Sequence, residues 1–135
     1  MIVKRVEALG RFLDTEDGEH LLTGTKRAIN ILRIEEKKDG IRYDGVPDQN
    51  LMINFERHLW GTIQSTIVDA GEFVREEKFD EAMESLSTLR TAVDEFFDTI
   101  TVNVDDPMLR ANRLKLLNQI RAATLEIADF SKIEG

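Results

Sequence analysis

Apolar residues recur every three or four positions along almost the whole chain, and only two prolines interrupt them. That spacing gives a helix one face for a core, and repeated across 135 residues it leaves little room for a sheet. A first helix is predicted from about Ile2 to Leu13, with Ile2, Val6, Leu9 and Leu13 on one stripe. Glu16-Asp17-Gly18 reads as a turn. A second helix follows from about Glu19 to Lys37, and its apolar residues, Leu21 through Ile34, spread around much of the circumference. Such a helix is expected to be central, with Gly24 permitting close approach. Residues 38–50 form the longest break, a loop with turns at Asp39-Gly40 and Asp44-Gly45.

A long helix is predicted from about Leu51 to Val74, on a stripe of Met52, Phe55, Leu59, Ile63, Ala70 and Val74 with Ile67 beside it. Two more are predicted at Phe79–Leu89 and about Ala92–Ile100. Thr101–Asp105 alternates Thr and Val, but its brevity between helices favours an extended linker. Asp106-Pro107 is a strong helix start, because Asp suits the N-cap and Pro the first helical position. The last helix runs to about Ala128. The fold class is therefore all-α, a single-domain bundle of about five to six helices. The first stripe begins at Ile2 with no capping residue before it, as though cut from something longer, with Met1 supplied for expression.

Composition excludes several function classes. There is no cysteine, hence no disulfide frame, thiolate metal site or cysteine nucleophile. No apolar run approaches the ~20 residues of a membrane span, so no membrane partner is expected. The net charge of -8 opposes non-specific nucleic-acid binding, DNA included, so any RNA contact must be local.

No catalytic constellation stands out. Glu35-Glu36, Glu76-Glu77 and Asp105-Asp106 are adjacent pairs, which diverge by about 100° on a helix rather than converge in a cleft. His20 and His58 have no second ligand at metal spacing, and His58 falls opposite the apolar stripe of its helix. Phe55, Trp60, Phe73, Phe79, Phe96 and Phe97 could stack on unpaired bases, though aromatics at helical spacing are mostly core, and Phe96 and Phe97 cannot both point the same way.

Basic residues are the better lead. From Pro107 to Leu125 the chain carries Arg110, Arg113, Lys115 and Arg121 and no acid. Lys26, Arg27, Arg33, Lys37, Lys38 and Arg42 gather around the second helix, while residues 69–106 are strongly acidic. Arg110 and Arg113 can either face RNA or pair with carboxylates of the neighbouring acidic helix, since the planar fork serves both.

Several strings in this chain resemble the C-terminal DALR-type anticodon-binding domain of the β subunit of bacterial glycyl-tRNA synthetases. They are Val6-Glu7-Ala8-Leu9, Thr15-Glu16-Asp17-Gly18, residues 21–28, Leu86–Arg90, Val93–Asp98, Leu109–Leu117 and Ala128–Ile133, in order over nearly the whole sequence. One departure is Ala92, where that family tends to carry proline; Thr91 is expected to cap the following helix, with Asp94 three residues on.

The resemblance implies that residues 1–135 are one helical anticodon-binding domain at the C-terminal end of a much longer, cytoplasmic β subunit. It implies no cofactor and no catalysis here, the parent ligase using ATP and magnesium in its α subunit to join glycine to tRNA. Partners would be the anticodon stem-loop of glycine tRNA, the rest of the β subunit and the α subunit. The RNA-contact candidates are Lys26, Arg27, Arg33, Arg90, Arg110, Asn112 and Arg113, with the loop of residues 38–50 as a further contact. The alternative is a helical protein–protein docking module without RNA contact. An independent enzyme is disfavoured by the missing constellation.

Overall fold

The computed structural model describes residues 2–127, apart from the side chains of residues 2–6, 9 and 125–127. The string Ala128–Ile133 that carries part of the family resemblance lies outside the described residues. Within the described residues, five α-helices and one 3-10 turn make an all-α bundle: α1 Ile2–Leu13, α2 Glu16–Asp39, the turn Gln49–Leu51, α3 Asn54–Arg75, α4 Phe79–Thr99 and α5 Pro107–Ile127. Among the described residues there is no strand.

The expected turn at Glu16-Asp17-Gly18 is instead the first turn of α2. Thr15 is the N-cap: its hydroxyl accepts the Gly18 N–H at 3.0 Å, which a residue inside a turn could not arrange as well. The reversal from α1 is confined to Asp14 and Thr15, whose N–H groups bond back to Gly10, Arg11 and Phe12 carbonyls. Glu16, Asp17 and Glu19 then suit the positive end of the helix. Likewise α3 begins at Asn54 rather than Leu51, because Glu56 reaches back to accept the Ile53 N–H at 2.9 Å and closes the helix there. Met52, ahead of the helix, is still buried, whereas Phe55 is exposed.

The two helices expected at Phe79–Leu89 and Ala92–Ile100 are one, α4. Thr91 caps nothing; Ala92 is a strong helix former where a proline would have forced a break, and it is buried. Asp94, rather than closing a capping box, lies 2.9 Å from Arg90 one turn back. The turn between α3 and α4 is a Schellman closure, with the Lys78 N–H on the Phe73 carbonyl and the Glu77 N–H on the Val74 carbonyl. At the other end, Asp106 Oδ1 accepts the Met108 N–H at 2.9 Å, so α5 starts at Pro107 as expected.

α3 and α4 form an antiparallel pair, α2 packs on α4 and α5, and α1 lies across α4 and α2. Leu21, Leu32, Leu59, Ile63, Leu86, Leu89, Phe96, Leu114, Leu117 and Ile120 fill the centre with no measurable exposure. The helix enclosed on most sides is α5, not α2: from Asn112 to Asn118 only Lys115 is less than buried. The segment of residues 40–53 straps over α5, with Asp48 hydrogen-bonded to Asn112 and Gly45 close to the Lys115 stem. α2 keeps one face in solvent, and Ile34 on that face is 60% exposed. Gly24 does serve a close approach, since a Cβ there would stand 2.8 Å from Val93 Cγ1 of α4.

Candidate nucleic-acid interface

The exposed face of α2 sorts charge sharply. From Thr23 to Lys38 the exposed residues are Thr23, Lys26, Arg27, Asn30, Arg33, Ile34, Lys37 and Lys38. Five of these are cations and none is acidic. The two acids in the interval are turned away: Glu36 accepts the Tyr43 N–H at 2.8 Å, and Glu35 is buried against Arg110. Lys26, Asn30, Arg33 and Lys37 follow at spacings of four, three and four, which keeps them on one ridge about 16 Å long at 1.5 Å per residue. Arg33 is held upright on this ridge by its hydrogen bond to Asn30 Oδ1 at 2.8 Å.

The candidates on α5 do something else. Arg110 Nη2 donates to Glu35 Oε1 at 2.5 Å and lies 2.8 Å from Asp39 Oδ2. Its Nε donates to Asn103 Oδ1 at 2.8 Å and its Nη1 to Tyr43 Oη at 3.3 Å. Those bonds, Glu35 first and Asp39 second, push the guanidinium pKa above its ordinary value. Arg113 is 8% exposed and donates to Glu56 Oε1 at 3.0 Å and to the Thr101 carbonyl at 2.7 Å. Asn112 brackets the Asp48 peptide, accepting from its N–H at 2.6 Å and donating to its carbonyl at 3.0 Å. Pairing with carboxylates was one of the two roles expected for Arg110 and Arg113. The partners, however, are on α2 and α3 and not on the acidic helix α4. These three residues brace α5 against the strap, the linker and two helices; of the seven candidates only Lys26, Arg27 and Arg33 lie on the exposed face of α2.

Arg90 stands apart from both groups. It is half-buried, with Nη1 3.4 Å from Asp17 Oδ1 and Nε 2.9 Å from Asp94 Oδ2. The latter is an ion pair by distance, but the buried Nε makes no hydrogen bond. The pairings Asp17–Arg90, Gly24–Val93 and Arg27–Phe97 ascend together along α2 and α4, so the two helices run side by side in the same direction.

The third of these pairings was not anticipated. The Arg27 guanidinium sits 4.5 Å from the centroid of the Phe97 ring, a cation–π arrangement. Phe97 in turn meets the buried Phe96 edge-on, with centroids 5.4 Å apart. Arg27 and Phe97 separate two surface grooves between α2 and α4, of about 540 Å³ and 420 Å³. The larger holds Glu19, His20, Thr23, Arg90, Asp94 and Asp98, and the smaller holds Ile31, Ile34, Val102 and Asn103. Gly24 was the available signal: a close approach between helices fixes which side chains meet one turn later. A further groove of about 480 Å³ between α3 and α4 is lined by Arg57, His58 and a row of hydroxyls that includes Thr62, Ser65 and Thr66. His58 is exposed there, as its position opposite the apolar stripe implied.

Fold and surface together define an all-α protein, acidic overall, that presents one cationic helix face beside an aromatic-floored groove. Over 137 aligned residues the chain is 48% identical to the glycine–tRNA ligase beta subunit of Rhodospirillum centenum, an alignment covering 100% of this chain and 19% of that protein. The chain thus spans about a fifth of the length of the curated relative it matches. No protein-family model matches it. No helix among the described residues is long and apolar enough to cross a membrane.

Proposed function

We propose that this chain is the tRNA-anticodon recognition segment of a glycyl-tRNA synthetase β subunit, of the DALR anticodon-binding type. The observation that carries the reading is the stretch of α2 from Thr23 to Lys38, where five exposed cations stand without an exposed carboxylate in a chain of net charge -8. Its likeness to a glycine–tRNA ligase beta subunit supplies the setting. Phosphates of an unpaired loop would lie along Lys26, Arg33 and Lys37, which fixes position without reading sequence. Bases splayed from that loop would turn toward the groove between α2 and α4. On this reading Arg110, Asn112 and Arg113 act indirectly, by holding the bundle that presents α2. Aminoacylation, with its ATP and magnesium, belongs to the α subunit, and the assembly works in the cytoplasm.

The test is a titration of the chain with the anticodon stem-loop of glycine tRNA at low salt, beside the Arg33→Gln/Lys37→Gln variant. Binding that weakens in the variant supports the reading, and no binding at low salt removes it. A second reading, docking on the rest of the subunit without RNA contact, draws on Ile34, Val46 and Met108, which are 60%, 73% and 65% exposed. Loss of subunit assembly on changing these to Ser, with stem-loop affinity unaltered, would favour it.

A further inference from the structure

We infer that the larger groove between α2 and α4 selects unpaired bases that carry an exocyclic amino group, with Phe97 as the stacking floor and the carboxylates of Asp98 and Glu19 as the readers; this rests on the RNA-binding reading above. The groove is an odd mixture for a phosphate site. Arg27 and Arg90 line it, yet it also presents Glu19, Asp94 and Asp98. Phosphate would be repelled by those carboxylates, whereas the amino group of cytosine or adenine is a donor that a carboxylate accepts. Uracil offers a carbonyl at the corresponding position, so there an acceptor would face acceptor-only carboxylates.

The three carboxylates are not equivalent. Asp94 is engaged by Arg90 at 2.9 Å. Asp98 and Glu19 are exposed, and neither side chain has an ion-pair or hydrogen-bond partner among the described residues. His20, at the same rim, is within 3.9 Å of Glu16. Beside these acceptors Phe97 offers a half-buried ring, anchored from behind by Phe96 and covered in front by Arg27 at 4.5 Å. Arg27 is exposed and can lift from the ring and close again over an inserted base, giving an aromatic–base–guanidinium stack. The volume of about 540 Å³ leaves room for such a base. Backbone attraction on the ridge and base choice in the groove are then separate functions of neighbouring surfaces.

The experiment compares binding of unpaired oligo-cytidine and oligo-uridine of equal length to the full chain at one salt concentration, by fluorescence anisotropy. Equal length cancels the phosphate contribution. Oligo-cytidine should bind on the order of tenfold tighter, the scale of one good base contact. In the Glu19→Gln/Asp98→Asn variant that preference should fall to within about twofold while the salt dependence of binding stays the same. Phe97→Leu, which keeps apolar bulk but removes the ring face, should weaken both oligonucleotides about tenfold. Equal binding of the two by the unaltered chain, or a cytidine preference that survives in the double variant, overturns the base-reading inference alone. Binding of neither oligonucleotide nor stem-loop overturns the RNA-binding reading with it. Glu19 and Asp98 are both exposed, so their variant tests the inference even if Phe97→Leu fails to fold.

Discussion

Arg113 Nε donates to Glu56 Oε1 at 3.0 Å across 57 residues of sequence, and Glu56 has no exposed surface at all. The carboxylate caps the start of α3 through the Ile53 N–H, while Arg113 also holds the Thr101 carbonyl in the linker. One ion pair therefore ties α3, the linker and α5 together. Arg113→Ala leaves a buried carboxylate without its counter-charge and is expected to cost about 3–5 kcal/mol. The Glu56→Gln/Arg113→Met variant removes both charges and should lose less than that single change. Urea unfolding at neutral pH measures both. A loss below about 1 kcal/mol for Arg113→Ala would show that the pair is not the brace described.

Two glycines set the helix spacing, and their replacements should differ in severity. A Cβ on Gly18 would stand 2.0 Å from the Phe12 carbonyl oxygen, a backbone atom that moves only if α1 moves. Gly18→Ala should cost at least ~2 kcal/mol. At Gly24 the clash is with a Val93 methyl at 2.8 Å. The gain in helix propensity of about 1 kcal/mol offsets part of an overpacking cost of ~1–3 kcal/mol. Thermal melts should rank Gly18→Ala well below Gly24→Ala, and Val93→Ala should rescue part of the latter. The opposite ranking would contradict the close approach of α1 to α2.

Much of this architecture is legible from periodicity, and what is not has identifiable causes. The bounds of α1 and the start of α5 at Asp106-Pro107 follow from apolar spacing and capping chemistry, both local. Thr91 has the chemistry of a cap but no helix breaker follows it, and Ala92 gives the helix no reason to stop. Glu16-Asp17-Gly18 has turn composition but also the acids that favour a helix start, and the Thr15 cap decided between them. Which cations face solvent was beyond reach. Arg110 and Arg113 look like Arg27 and Arg33 in sequence, and only partners 75 and 57 residues away turn them inward. The same holds for Arg27 over Phe97, a pairing set by helix register rather than local pattern.

The cluster around Arg110 sets a pH window. Tyr43 Oη donates to Asp39 Oδ2 at 2.6 Å, and that bond, followed by the one from Arg110, holds the Asp39 carboxyl below its usual range. Burial first, and then the bond to Asp39, pushes the Tyr43 phenol up. Asp39 thus contributes stability that is present above its unfolded value of about 3.9 and is lost as pH falls through its lower folded value. Tyr43 contributes stability present below about 10 and lost as pH rises through its higher folded value. Asp39→Asn should flatten the acid limb of a stability–pH profile and Tyr43→Phe the alkaline limb. Limbs unchanged in both variants would show that these groups are not coupled to folding.

For the RNA contact proposed above, the division between an exposed ridge on α2 and closed arginines on α5 makes a quantitative forecast. A cation that neutralises a phosphate of an unpaired strand releases a counterion, which steepens the salt dependence by about 0.7 in log–log slope. Lys37→Gln and Arg33→Gln should each reduce the slope by roughly that amount while leaving the fold intact, because both side chains are exposed. The Glu56→Gln/Arg113→Met variant should leave the slope unchanged, since Arg113 is closed off by Glu56 and Thr101. Stem-loop titrations over a tenfold range of salt measure all three. A slope that falls for the buried variant but not for the ridge variants would move the proposed interface from α2 to α5.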